Sequence, residues 1–163
     1  MELLYEKQFT CCFTGHRFVP VDASQKMEAA LKHSIEQLIA KGVKTFISGG
    51  ALGFDIMAAK NVLKAKEKHP DIMLVMAIPC RDQHMRWSTK DKSEYEEILK
   101  VADDIICLND KYCIGCMHQR NRFMVGQSSY CIAYYTGKSG GTAYTISLAG
   151  DYGLEVLNIA KML

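Results

Sequence analysis

The sequence predicts an α/β fold, a single Rossmann-like doubly wound domain over residues 1–163, with a mostly parallel sheet flanked by helices. Three observations predict it. Apolar runs of strand length alternate with amphipathic helical segments, which is the rhythm of β-α-β units covered on both faces. Glycine-bearing turns follow the first, second and fifth runs, the second and fifth of them glycine-rich. No low-complexity tract, Pro-rich linker or internal repeat divides the chain.

The strand candidates, in order, are "FTCCFT", "VKTFIS", "IMLVMAI", "DIICL" and "YCIAYY", with "EVLNI" a weaker sixth. Between the first two, Asp22 and Gln25 have capping-box spacing, and Met27, Leu31, Ile35, Leu38 and Ile39 form one helical stripe that Gly42 ends. "IMAAKNVLKAKEK" reads as the second helix. Ser93 and Glu96 mark the start of another, running to about Ala102. Arg120, Asn121 and Arg122 stand near the start of a helix before the fifth run, and one of the two arginines is expected to face a site while the other is solvated.

Composition narrows the function classes. Lys plus Arg total 20 against 18 acids, so the net charge of +2 gives no long-range field like that of a dedicated nucleic-acid binder. Phosphate recognition must then be local, and nucleic acid is not an expected partner. Four of the seven cysteines, Cys11, Cys12, Cys107 and Cys131, lie in apolar runs, where a reduced thiol behaves as a small hydrophobe. That usage fits a reducing cytoplasm. The longest apolar run, "IMLVMAIPC", falls far short of the roughly 20 residues that span a bilayer, and "MELLYEKQF" carries no targeting pattern.

In doubly wound sheets ligands bind outside the carboxyl ends of the strands. "GHR" (15–17), "SGGALGFD" (48–55) and "GKSGGT" (137–142) all follow strands. Glycine before a helix lets backbone N–H groups converge on an anion, and the helix N-terminus adds partial positive charge. Arg17 offers a planar fork for phosphate, and Asp55, in a first helical turn, can accept from ribose hydroxyls. The plainer reading makes Gly49, Gly50 and Gly53 a tight crossover and Asp55 a favourable first-turn acid.

"SGGALGFD" resembles the Ser-Gly-x-Ala-x-Gly-x-Asp signature of the DNA-processing protein A family, and "GHR" resembles the Gly-x-Arg after that family's first strand. "SGGT" is similar to part of the Pro-Gly-Gly-x-Gly-Thr-x-x-Glu motif of LOG phosphoribohydrolases. Both belong to the SLOG superfamily of Rossmann-like domains. The order "TGHR", "SGGALGFD", Trp87 with Tyr95, "RNRFMV" and "GGTAYTI" most resembles its small YpsA-like branch. The resemblance implies a nucleotide-type ligand site built from Gly15, Arg17, Ser48, Gly49, Gly50, Gly53, Asp55, Gly140, Gly141 and Thr142, with Arg120 and Asn121 matching the branch. It also implies a homodimer or higher oligomer. The LOG motif departs here in two ways: Ser139 replaces its proline, and Thr142 follows Gly141 directly, so Thr145 stands where the catalytic Glu belongs.

Other residues carry chemistry with plainer alternatives. His16 can hydrogen-bond a ligand or act as an acid–base group, or it is a turn histidine satisfied by backbone. Trp87 can stack on a base or plug the core. Cys113, Cys116 and His118 invite a zinc reading, but a structural site needs a fourth ligand and usually a second Cys pair, so no metal is expected.

The expectation is therefore a cytoplasmic domain that binds or senses a nucleotide or nucleotide-derived small molecule, with no cofactor. One alternative is a nucleotide N-glycosidase, with Asp55 as the candidate catalytic carboxylate. DNA association of the DNA-processing type comes third.

Overall fold

The computed structural model describes residues 1–163. Six strands form one sheet: β1 (Thr10–Gly15), β2 (Thr45–Ser48), β3 (Met73–Ile78), β4 (Asp104–Cys107), β5 (Tyr130–Tyr134) and β6 (Glu155–Asn158). Their spatial order is β4-β3-β2-β1-β5-β6, and every pairing is parallel. The sheet is thus wholly parallel rather than mostly so. "EVLNI" supplies the edge strand β6, pairing Val156 with Cys131 of β5.

Five α-helices connect the strands: α1 (Ser24–Ala40), α2 (Phe54–Lys68), α3 (Thr89–Val101), α4 (Cys116–Gly126) and α5 (Gly141–Asp151). Successive residues of a strand face opposite sides, and β1 shows the division. Cys11 and Phe13 pack under α1, α2 and α3 with Phe46, Leu74 and Ile132, whereas Cys12 packs under α4 and α5 with Ile47, Val75 and Cys131. Both faces of the sheet are therefore apolar, which is why its strands read as continuous hydrophobic runs.

The helices begin differently from the sequence expectation in two places. A short 3-10 turn (Val21–Ala23) precedes α1, and the side chain of Asp22 makes no capping bond. Helix α3 begins at Thr89, capped by Ser88, whose hydroxyl accepts from the Asp91 N–H at 3.2 Å. Ser93 and Glu96 lie inside it. The earlier start follows from packing: Tyr95 is fully buried with His84 stacked on it at 4.5 Å and Trp87 edge-on at 5.2 Å. Trp87 packs against this core as a plug.

The strand order positions the site. The chain steps outward from β1 through β4, then returns to the other side of β1 to form β5 and β6. Connections swap faces at that reversal, so a crevice opens beyond the carboxyl ends of β1 and β5. Phe54, fully buried at the start of α2, underlies it, and a Cβ on Gly15 would fall 2.3 Å from the Phe54 ring. Burying a phenylalanine is worth roughly 1.5–3 kcal/mol, so β1 ends on glycine to keep that packing.

Candidate functional site

A cavity of about 400 Å³ occupies the β1/β5 crevice. Gly15 ends β1 and His16 and Arg17 follow it, Ala51 comes from the β2–α2 loop, Asp55 from the first turn of α2, and Ser139 to Thr142 from the turn into α5. Helix α4 adds Met117, His118, Arg120 and Asn121. Only three of the fifteen lining residues are hydrophobic, so the cavity suits a highly polar guest.

The glycines of α5 face open space. Gly140 takes φ 135° and Gly141 starts the helix without any side-chain cap, and a Cβ on either would meet nothing within 4 Å. No side chain caps the first-turn N–H groups of α5, and Gly141 and Thr142 line the cavity, which is the arrangement that receives an anion.

Arg120 is 4% exposed and Asp55 5% exposed, so two ionisable groups are buried at one cavity. Arg120 directs Nε to Asn121 Oδ1 at 2.8 Å and Nη1 to the carbonyl of Gly49. Its Nη2 has only the thioether sulfur of Met117, at 3.7 Å. Asp55 accepts the Ala51 N–H through Oδ2 at 3.2 Å. Burial pushes the Asp55 carboxyl up to about 6, against the pull of Arg120, the Ala51 N–H and Arg17. Burial likewise lowers the Arg120 pKa, which Asp55 partly counteracts. Arg17 is exposed and its guanidinium has no protein partner, so it stands at the mouth as a free cation.

His16 is both a turn histidine satisfied by backbone and a cavity residue. Its Nε2 accepts the Thr136 N–H at 3.0 Å, which leaves the ring proton on Nδ1. Burial and the nearby Lys138 lower its pKa, which favours the neutral ring.

The remaining sequence candidates do not line the cavity. Ser48 is fully buried, donating to the Asp55 carbonyl at 2.9 Å. A Cβ on Gly49 would stand 2.5 Å from Arg120 Nη1, and one on Gly53, at φ 83°, would fall 2.0 Å from the Arg17 carbonyl. Gly50, at φ 69°, lies under Tyr95 and Met76. These positions seat the cavity's arginines and turn the chain into α2. Of the pair that the sequence left open, Arg120 faces the cavity and Arg122 is exposed, reaching Tyr144 Oη at 3.4 Å. Met117 and His118 were not expected as cavity residues, and their helical spacing from Arg120 and Asn121 is the signal that places them there. Thr145 is fully buried and donates to the Gly141 carbonyl at 2.9 Å, so no acid occupies the LOG glutamate position. No group of three or more His, Cys, Asp or Glu side chains is arranged to hold a metal ion. No helix is long and apolar enough to cross a membrane.

A sequence profile described as the YspA SLOG family matches residues 13–156. An uncharacterized SPbeta prophage-derived protein of Bacillus subtilis, YoqJ, is 36% identical over 137 residues, covering 76% of this chain and 80% of its own. A UPF0398 protein of Halalkalibacterium halodurans is 29% identical over 126 residues, covering 76% of this chain and 67% of its own. Among solved structures, DNA processing protein A from Helicobacter pylori, described for its single-stranded DNA binding mode, superposes with a TM-score of 0.65 at 22% identity over 92% of this chain. At that identity the likeness is one of fold, and this chain spans 64% of the Helicobacter chain.

Proposed function

Because the chain belongs to the YspA SLOG family, we propose that the β1/β5 cavity binds a nucleotide or a nucleotide-derived small molecule, as a sensing or sequestering site. One observation carries this reading. A single polar cavity joins two arginines and an uncapped helix N-terminus, all suited to phosphate, with one buried carboxylate suited to sugar hydroxyls. The two charged side chains deepest in it, Arg120 and Asp55, direct their hydrogen bonds to backbone and amide groups rather than to each other. Each keeps a polar edge for a guest.

The reading is binding without rapid turnover. Glycosidic cleavage needs a carboxylate against the anomeric carbon, and Thr145 offers none. Asp55 is the one acid lining the cavity. A thermal-shift screen over AMP, cyclic nucleotides, NAD and ADP-ribose tests the proposal. A ligand at 100 times its Kd adds roughly 2.7 kcal/mol to the folded state, a readily seen rise in Tm. No shift with any of them at millimolar concentration refutes it.

Single-stranded DNA is a second reading, and the Helicobacter likeness runs against setting nucleic acid aside on charge alone. The observation favouring it is on the carboxyl edge of the sheet. Arg17 precedes Phe18, 75% exposed, and Lys111 precedes Tyr112, 62% exposed, so two loops on that edge each set a cation beside an aromatic face on which a base can stack. Fluorescence anisotropy with oligodeoxythymidine separates the readings. Micromolar, salt-sensitive binding with no response to mononucleotides would replace the first with the second.

A further inference from the structure

The segment Cys113–Cys116 plays no part in the cavity. The Cys116 N–H donates to the Cys113 carbonyl at 3.2 Å, closing a four-residue turn, and Gly115 sits at φ 84°, ψ 0°. Those angles are the ones a type II turn requires of its third residue, which is why glycine occupies it. Such a turn holds its first and last Cα atoms within about 7 Å, which overlaps the range of roughly 4.4–6.8 Å that a disulfide spans. The turn is accessible on one side only: Cys113 is exposed and Ile114 fully so, whereas Cys116, the first residue of α4, is 1% exposed. Both thiols are free, and no third ligand is placed to make the pair a metal site.

We propose that Cys113 and Cys116 form a redox-modification site, a dithiol that exchanges with a low-molecular-weight disulfide to close an intramolecular bond. The exposed Cys113 thiolate attacks one sulfur of the incoming disulfide, forming a mixed disulfide and releasing the first thiol. The Cys116 thiolate then attacks Sγ of Cys113, the mixed bond breaks, and the second thiol leaves. The two cysteines are oxidised by two electrons, the incoming disulfide is reduced to two thiols, and both cysteine protons leave with them. Loss of hydration and the neighbouring Cys116 thiol push the Cys113 thiol above its ordinary value, so the first step is slow at neutral pH and quickens as pH rises. The turn opens directly into α4, whose first two helical turns carry Met117, His118, Arg120 and Asn121, so the bond lies at the base of a cavity wall.

The test is mass mapping of the whole protein after equilibration with oxidised glutathione. The expected product has lost two hydrogens and yields a peptide linking Cys113 to Cys116. Its rate of formation should rise severalfold between pH 7 and pH 8.5, following the thiolate fraction. Cys116→Ser should stop at a glutathione adduct on Cys113, and Cys113→Ser should form neither product. Since Cys113 is exposed, that variant folds as the parent does. A stable glutathione adduct on Cys113 in the parent chain, or a bond joining Cys116 instead to Cys80, a buried thiol that also lies beside Cys116, overturns the proposal.

Discussion

Arg120 donates through Nη1 to the carbonyl of Gly49, 71 residues earlier in the chain, and the same nitrogen would lie 2.5 Å from a Cβ on that glycine. The guanidinium is held because the residue beneath it has no side chain. Gly49 has no positive φ, so it is steric contact with Arg120 alone that disfavours a larger residue. Gln83 reaches the same carbonyl at 3.4 Å and Tyr95 Oη at 3.2 Å, which ties the arginine's anchor to the core under α3.

Gly49→Ala should therefore displace Arg120 rather than bend the turn. Overpacking of this kind costs about 1–3 kcal/mol, and affinity for a phosphate-bearing ligand should fall with it. Urea unfolding and calorimetric titration of the variant would check both. Unchanged ligand affinity would mean that Arg120 does not contact the ligand.

Arg17 should separate binding from folding. Its guanidinium is exposed and touches no protein acceptor, so Arg17→Ala should change stability by less than about 0.5 kcal/mol. A hydrogen bond to a charged group is worth about 1.5–3 kcal/mol, so affinity for an anionic ligand should drop roughly tenfold to a hundredfold. Titration at two salt concentrations would show the loss, with a shallower salt dependence in the variant.

Asp55 links stability to pH. Its carboxyl is raised from 3.8 to about 6 in the folded chain, so the folded state binds this proton more tightly than the unfolded state does. The associated stability is fully present below about pH 4 and is lost as pH rises through 6. At 1.4 kcal/mol per unit the whole effect is on the order of 1–3 kcal/mol. Asp55→Asn, which stays uncharged, should be more stable than the parent by that amount above pH 7, and the gap should close by pH 4. Denaturant unfolding across this window would check it, and a gap that did not vary with pH would rule out titration of Asp55 as its source.

Incubation with AMP should release no adenine at an enzyme-like rate, because Thr145 occupies the LOG acid position and bonds back to its own helix. Chromatography of the free base would check this. Release by the parent chain, abolished in Asp55→Asn with affinity for AMP retained, would assign glycosidase chemistry to Asp55.

Alternating apolar runs made the sheet legible because a parallel strand buried on both faces has no polar period to obscure it, as "MLVMAI" illustrates. The placement of Arg17, Asp55 and the α5 glycines on one edge followed from the same rhythm. The roles of Gly49 and Gly53 were not legible. Glycine spacing before a helix reads as an amide cradle, whereas the atoms that exclude a side chain at Gly49 belong to Arg120, and those at Gly53 to the Arg17 backbone. Local sequence carries no record of such distant neighbours. The start of α3 was misplaced for a different reason: Ser93 with Glu96 has capping-box spacing, but burial of Tyr95 draws the helix start back to Ser88, whose hydroxyl accepts from the Asp91 N–H.

The position of β1 in the sheet bears on how the chain leaves the ribosome. This strand is made early and finds β2 across one helix, but its other neighbour, β5, pairs Tyr130 with Cys11. At roughly 5–20 residues per second, the nascent chain waits several seconds or longer before that partner exists. During the wait one edge of Thr10–Gly15 presents unpaired amides and carbonyls along an apolar strand, the surface on which chains join one another. The β1/β5 cavity cannot exist in that interval either, since α4, α5 and the turn leading into α5 supply eight of its fifteen lining residues.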